Sequence, residues 1–274
     1  MPHPRRTPLR AALLACAALL AACSSNDDAD IAYVERPVEQ LYNEAAGAIE
    51  RSNFTLAADL FEEVERQHPY SPWAVRAQLM AAYAMYEDEK FDQAVVALDR
   101  FIQLHPGNER IDYAYYLRAL AYYDQISDPK RDQRITEQAR SALTEVVRRF
   151  PDSEYGRDAR LKLDLTEDLL AAKEMDVGRF YLRQGQYAAA ISRFRRVVEF
   201  HQTTNQVPEA LHRLVEAYLA VGLEDEARTT AAVLGHNFPG SEWYTDSYRL
   251  MVEGAETPPP GGGSWLGRVW RSVF

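Results

Sequence analysis

The chain has 274 residues, 47% of them hydrophobic and 26% charged, which is a globular rather than a disordered composition. Residues 1–22 hold Arg5, Arg6 and Arg10 and no acid; without them 28 basic residues face 41 acidic ones, a formal charge of −13. So acidic a body repels phosphate backbones, which argues against nucleic acid as a partner.

The N-terminus reads as an export signal over 1–22. Its arginines form a charged region, and "AALLACAALLAA" (Ala11 to Ala22) is an apolar stretch too short to span a bilayer comfortably. Leu20-Ala21-Ala22-Cys23-Ser24 looks like a bacterial lipobox, so Cys23 is the expected lipidation site, carrying a diacylglycerol and a further acyl chain such as palmitate. Cys16 ends a rival match, but only about five apolar-rich residues precede it, below the usual 7–15. With Cys16 removed and Cys23 acylated, the mature body holds no free thiol, disulfide or thiolate metal site. Ser24, rather than an aspartate, points to the outer membrane, lipid-anchored on its periplasmic face. Residues 23–36 form an acylated tether.

Beyond the tether the signal is helical. Helices are predicted over about 37–52, 55–67, 72–88, 91–104, 109–125, 135–149, 154–184, 187–200, 207–221, 224–237 and 242–253. Strand signals are weak. A short phrase recurs between helices: His68-Pro69-Tyr70-Ser71, His105-Pro106-Gly107-Asn108, Phe150-Pro151-Asp152-Ser153 and Phe238-Pro239-Gly240-Ser241. Proline cannot continue a helix, and the serine or asparagine two residues later is expected to cap the next one. Phe54 and Phe91, Pro69 and Pro106, and Ala190 and Ala227 are each 37 residues apart. In "VGRFYLRQGQYAAAISRF", Gly178, Tyr181, Gly185, Tyr187, Ala190 and Phe194 fall on the small and aromatic positions of a tetratricopeptide repeat, a helix–turn–helix unit of about 34 residues. The fold class is therefore all-α: a tetratricopeptide-repeat solenoid of about five helix–turn–helix repeats plus a C-terminal capping helix. The array covers 37–253, with repeats at about 37–70, 71–107, 108–152, 153–203 and 204–240 and a cap at 242–253. The third repeat has a longer internal loop, Ser127 to Arg134.

A Pro/Gly linker, 254–264, leads to "WLGRVWRSVF", a basic amphipathic tail over 265–274. Trp265, Leu266, Val269, Trp270 and Val273 share one helical face, Arg268 and Arg271 lie elsewhere, and no acid follows Thr257. Such a segment suits an interface or a partner groove and is too short to be helical alone.

No phosphate loop, GxGxxG, GxSxG or HExxH motif is present, and the six histidines lack metal-ligand spacing. The repeats leave no room for a catalytic domain, so the expectation is a non-enzymatic protein without cofactor or metal. Surface recognition remains. Aromatics concentrate in the first three repeats, and Tyr70, Trp73, Tyr86, Tyr113 and Tyr116 are candidates for a substrate groove. On helix 109–125, Tyr113, Tyr116 and Leu120 share one face and Tyr115, Ala119 and Tyr122 another; one must pack and the other is free to line the groove. Arg193 and Arg196 flank the buried face of helix 187–200 and are candidates for a partner interface.

The stretch Tyr83 to Ala121 resembles the BamD family, lipoproteins of the outer-membrane β-barrel assembly machinery. Asp99-Arg100-Phe101-Ile102, Leu104, Pro106, Ile111-Asp112-Tyr113, Tyr116 and Arg118 carry the likeness, with Arg131-Asp132 further on. It covers roughly residues 20–237. The resemblance implies an adaptor that assists insertion of β-barrel proteins into the outer membrane. Its N-terminal half would receive the aromatic-rich C-terminal segment of unfolded outer-membrane proteins. The position of Arg193 would dock the POTRA domain of a BamA-like insertase, alongside accessory assembly lipoproteins. The alternative is another periplasmic repeat lipoprotein, such as a cell-wall synthase activator.

Overall fold

The computed structural model describes residues 35–126 and 133–256. Cys23, Arg131, Asp132 and the tail residues Trp265, Arg268, Trp270 and Arg271 lie outside them. Residues 35–37 precede the first helix, and the unit from Val38 onward is the one described below. Among the described residues there are eleven helices and no strands: α1 Val38–Glu50, α2 Phe54–Gln67, α3 Pro72–Glu87, α4 Phe91–Leu104, α5 Ile111–Tyr123, α6 Arg134–Arg149, α7 Glu154–Arg183, α8 Tyr187–Phe200, α9 Val207–Ala220, α10 Glu224–Asn237 and α11 Glu242–Glu256.

Two turns, each used repeatedly, build the array. The first is the proline phrase. His68, His105, Phe150 and Phe238 each end a helix with φ between −133° and −128° and ψ between 51° and 55°. Proline disfavours the α region for the residue before it, which is why the chain leaves the helix there. The carbonyl of each then accepts the amide three residues on, from Ser71, Asn108, Ser153 or Ser241, at 3.0–3.2 Å. His201 makes a fifth copy, φ −127° and ψ 44°, with Thr204 in the serine's place. No proline marks it, so the sequence pattern passes over it.

Ser71, Ser153 and Ser241 cap as expected, accepting amides from Trp73 (3.2 Å), Gly156 (2.9 Å) and Trp243 (3.2 Å). Asn108 corrects the pattern. It accepts the Arg110 amide at 2.9 Å, but α5 begins only at Ile111, with Arg110 at the cap position. Pro72 fixes a helical φ directly after Ser71; no proline follows Asn108, and Arg110 stays outside the helical range at φ −107°, ψ 24°.

The second turn joins odd helices to even ones. Ser52, Glu89, Gly185 and Gly222 have φ of 55°, 57°, 69° and 77°. After each, the next amide reaches back to a carbonyl five residues earlier at 2.9 Å, closing a Schellman turn. Glycine adopts this left-handed geometry freely, whereas a side chain costs about 1–2 kcal/mol. Glu89→Gly is therefore expected to stabilise the array by about 0.5 kcal/mol, net of glycine's extra freedom in the unfolded chain. A higher midpoint of thermal unfolding would record it.

Each helix packs chiefly on its chain neighbours. The next-but-one contacts among the described residues join α1–α3, α3–α5, α5–α7, α7–α9 and α9–α11, so the odd-numbered helices form one continuous layer. Paired helices in which one member of each pair stacks on the next make a tetratricopeptide-type solenoid. Alanines at the contacts, among them Ala45, Ala57, Ala77, Ala94, Ala114 and Ala190, are fully buried and let the helices approach closely. Phe61, Phe101 and Phe194 fill the space between them. The 30-residue α7, about 45 Å long at 1.5 Å per residue, ties two stretches of core together. Ala159 enters the core of α3–α6, and Ala171 and Met175 enter that of α8–α10. α11 covers the far end, placing Met251 against Val215, Ala227 and Ala231. No helix among the described residues is long and apolar enough to cross a membrane.

Candidate protein-recognition site

The odd-helix layer carries a run of aromatic rings. Near the start of α3, Trp73 packs on Tyr42 of α1 with ring centres 4.8 Å apart. Arg76, one turn on, lies over the Trp73 ring at 6.0 Å. Beside them opens a cavity of about 410 Å3 whose walls include Tyr42, Val75, Arg76, Met80, Arg110 and Tyr113. Both guanidinium groups are exposed, and neither forms an ion pair among the described residues. Glu109 stands on the same wall, but the two guanidinium groups outnumber it and sit beside Tyr42, Met80 and Tyr113, which makes a place for a carboxylate attached to an apolar group.

The run continues along α5 onto α7. Tyr113 meets Tyr155 at 5.3 Å, and Tyr116 stacks on the same ring at 5.2 Å and 29°. The Tyr116 hydroxyl donates to Asp158, and that of Tyr86, on α3, donates to Asp124. Burial, reinforced by those carboxylates, holds both hydroxyls well above the ordinary tyrosine range. Burial and the neighbouring Tyr83 do the same for Tyr113. All three therefore remain neutral donors at any physiological pH. The two faces of α5 separate: Tyr115 is 9% exposed and packs between Arg118 and Arg149, each 5.1 Å from its ring, while Tyr113 and Tyr116 stay half-buried.

Of the sequence candidates, Trp73, Tyr113 and Tyr116 belong to this run. Tyr86 joins it through its hydroxyl end. Tyr70 does not: it is fully exposed on the first proline turn. Sequence reasoning missed Tyr42, Arg76, Arg110 and Tyr155. One signal was there for Tyr155, since Trp73, Tyr155 and Trp243 each stand two residues after a capping serine.

The second candidate surface lies where α7 meets α8. Arg193 and Arg196 both reach Glu174 of α7, at 3.1 and 3.3 Å, and Arg195 turns outward to Glu199 at 2.8 Å. Next to them His201 bonds Glu167 at 2.7 Å, and Phe200 is largely exposed. Among the described residues no group of three or more His, Cys, Asp or Glu is placed to hold a metal ion.

Asp99 and Arg118, apart in sequence, meet at 2.6 Å between α4 and α5. Arg118 also holds Glu145 of α6 at 2.6 Å, and Arg149 holds the same carboxylate at 2.8 Å. Burial pushes the Glu145 carboxyl up, but the bonds from Arg149 and Arg118 outweigh it and keep it below the usual glutamate range. The pair thus clamps three helices. Arg118→Ala is expected to cost about 2 kcal/mol, less than a fully buried pair because both acids are partly exposed. A carboxyl depressed in the folded state stabilises above its unfolded value and loses that contribution as pH falls. Wild-type stability should therefore drop between about pH 5 and pH 3 more steeply than that of the variant, as acid titrations of the thermal midpoint would read.

Comparison with known proteins decides the kinship. The model of the YfiO outer membrane lipoprotein family matches residues 34–252. The chain belongs to that family. A relative from Caulobacter vibrioides, named outer membrane protein assembly factor BamD, is 51% identical over 90% of this chain and 81% of its own length. Another of the same name, from Rickettsia prowazekii, is 42% identical over 89% of this chain and 97% of its own. A thermophilic TPR protein of Thermus thermophilus superposes at TM-score 0.37 and 19% identity, covering 79% of this chain and all of that one. The YfiO match runs from just before α1 into α11, so both candidate surfaces lie within family sequence.

Proposed function

We propose that the chain is a non-enzymatic adaptor of outer-membrane β-barrel assembly, tethered through Cys23 to the periplasmic face of the outer membrane. The odd-helix aromatic run receives the C-terminal, aromatic-rich segment of an unfolded barrel protein. Trp73, Tyr113 and Tyr116 offer rings for its side chains; Tyr86 adds a hydroxyl edge. Arg76 and Arg110 receive the terminal carboxylate. Arg193 and Arg196 exchange Glu174 for carboxylates on the POTRA region of a BamA-like insertase. Accessory lipoproteins attach elsewhere on the array.

Family membership supports the general reading, and the hollow edged by Arg76 and Arg110, neither of them in an ion pair among the described residues, carries the specific one. A double Arg76→Ala, Arg110→Ala variant should lose at least tenfold in affinity for a peptide bearing a barrel protein's C-terminal segment. The wild type should lose as much when that peptide is amidated at its C-terminus. Equal binding of acid and amide forms would remove the carboxylate reading. At the second surface, Arg193→Glu should sharply reduce recovery of the insertase from detergent extracts, while Arg195→Glu leaves it near wild type. Undiminished recovery with Arg193→Glu would contradict the interface.

A further inference from the structure

A second hollow opens between the ends of α7, α9 and α11. Its volume is about 600 Å3, within the range that holds a few bulky side chains. Leu182, Leu219, Leu250 and Met251 form the apolar floor, and Glu216 and Glu224 stand at the edge. Glu224 forms no ion pair among the described residues; Glu216 holds Arg213 at 2.8 Å with one oxygen and has the other 3.6 Å from His212. Asp225 and Glu226 follow Glu224 in the first turn of α10, Asp225 held by Arg228 at 2.7 Å, so the surface beside the hollow is net negative. Val221 and Leu223 beside it are exposed and extend the apolar surface.

The composition of this hollow fits one segment of the same chain. α11 carries Leu250 and Met251 into its floor and ends at Glu256. Residues 257–264 could then reach about 27 Å if fully extended, at up to 3.4 Å each. They lead into Trp265-Leu266-Gly267-Arg268-Val269-Trp270-Arg271-Ser272-Val273-Phe274, which is aromatic, basic and free of acids. Large apolar side chains match the floor, and two arginines match the glutamates. A tethered segment meets its site at an effective concentration in the millimolar range, so even weak contacts hold it.

We infer that residues 265–274 dock intramolecularly in this cavity, Trp265 and Trp270 on the leucine–methionine floor and Arg268 and Arg271 against Glu216 and Glu224. Docked there, the tail would add to the cover that α11 already gives the end of the array. Its rings are withheld from the bilayer unless a competitor displaces them.

The test places a photo-crosslinking amino acid at Leu219 in the full, lipidated chain in membranes and maps the products by mass spectrometry. Intrachain adducts within 265–274 are expected as the main product. Arg268→Glu with Arg271→Glu should cut their yield at least fivefold, and adding Glu224→Arg should recover much of it. Glu224 is exposed, so that change leaves the fold intact, which circular dichroism checks. Adducts mainly to lipid, to a second copy or to another protein, or a yield indifferent to these charges, would overturn the inference.

Discussion

Gly156→Ala should lower the stability of the array by about 3 kcal/mol, one of the two largest losses expected of a single methyl group. A Cβ at this position would stand 2.0 Å from the Phe150 carbonyl oxygen, a backbone atom that cannot swing aside. The cause is local. Ala74 and Tyr244 hold the same place after Ser71 and Ser241, and both carry side chains. There the amide bonds the serine carbonyl, at 2.9 and 3.1 Å, in the looser first turn of a 3₁₀ type. At α7 the Gly156 amide goes to the Ser153 hydroxyl at 2.9 Å, and Arg157 takes the carbonyl at 3.2 Å. That tighter entry brings the end of α6 against the start of α7. Alanine would force the junction toward the Ser71 pattern and shift the long helix. The thermal midpoint should fall by about 8 °C, with hydrogen exchange rising first around residues 150–157. An unchanged midpoint would refute this account of the junction.

The second large effect is Gly178→Ala. An added Cβ would lie 2.5 Å from Cε1 of Phe194, with two further ring atoms inside 3.0 Å. Phe194 is fully buried among Met175, Val197 and Leu214, so its ring has nowhere to go. Alanine gains about 1 kcal/mol of helix propensity over glycine, but overpacking of this kind costs up to about 3. A net loss of about 2 kcal/mol is expected, or about 5 °C. Phe194→Leu should be destabilising alone yet should recover part of the loss when combined with Gly178→Ala. That non-additivity, read from a double-mutant cycle, identifies the contact. Strictly additive losses would mean the two residues do not press on one another.

The helices were legible because their punctuation is chemical. Proline stops, serine caps and glycine turns act on adjacent residues, and a sequence displays adjacency directly. The turn at His201 escaped because Gln202 replaces proline, although the backbone takes nearly the same path. The turns at Ser52 and Glu89 were hidden for the same reason: the left-handed residue is not glycine. The site was less legible. Helical periodicity separated Tyr115 from Tyr113 and Tyr116 but could not say which face was buried, since that depends on the neighbouring helices. Tyr42, Arg76, Arg110 and Tyr155 reach the run from separate stretches of the chain, and only the stacking of odd helices brings them together. Asp99 and Arg118 drew notice through likeness to a family; their meeting across α4 and α5 gives a physical reason for both.

We propose that this array holds an unfolded barrel protein on the aromatic layer of its odd-numbered helices while moored to the outer membrane. The most direct measurement is a photo-crosslinking residue in place of Tyr113, activated in cells while a barrel protein is being exported. The account predicts an adduct with the C-terminal strand of that protein, lost when its terminal aromatic residue is deleted and recovered from outer-membrane fractions. Adducts only with cell-wall synthases, or a yield at Tyr113 no higher than that of a probe at an even-helix position such as Val96, would contradict it.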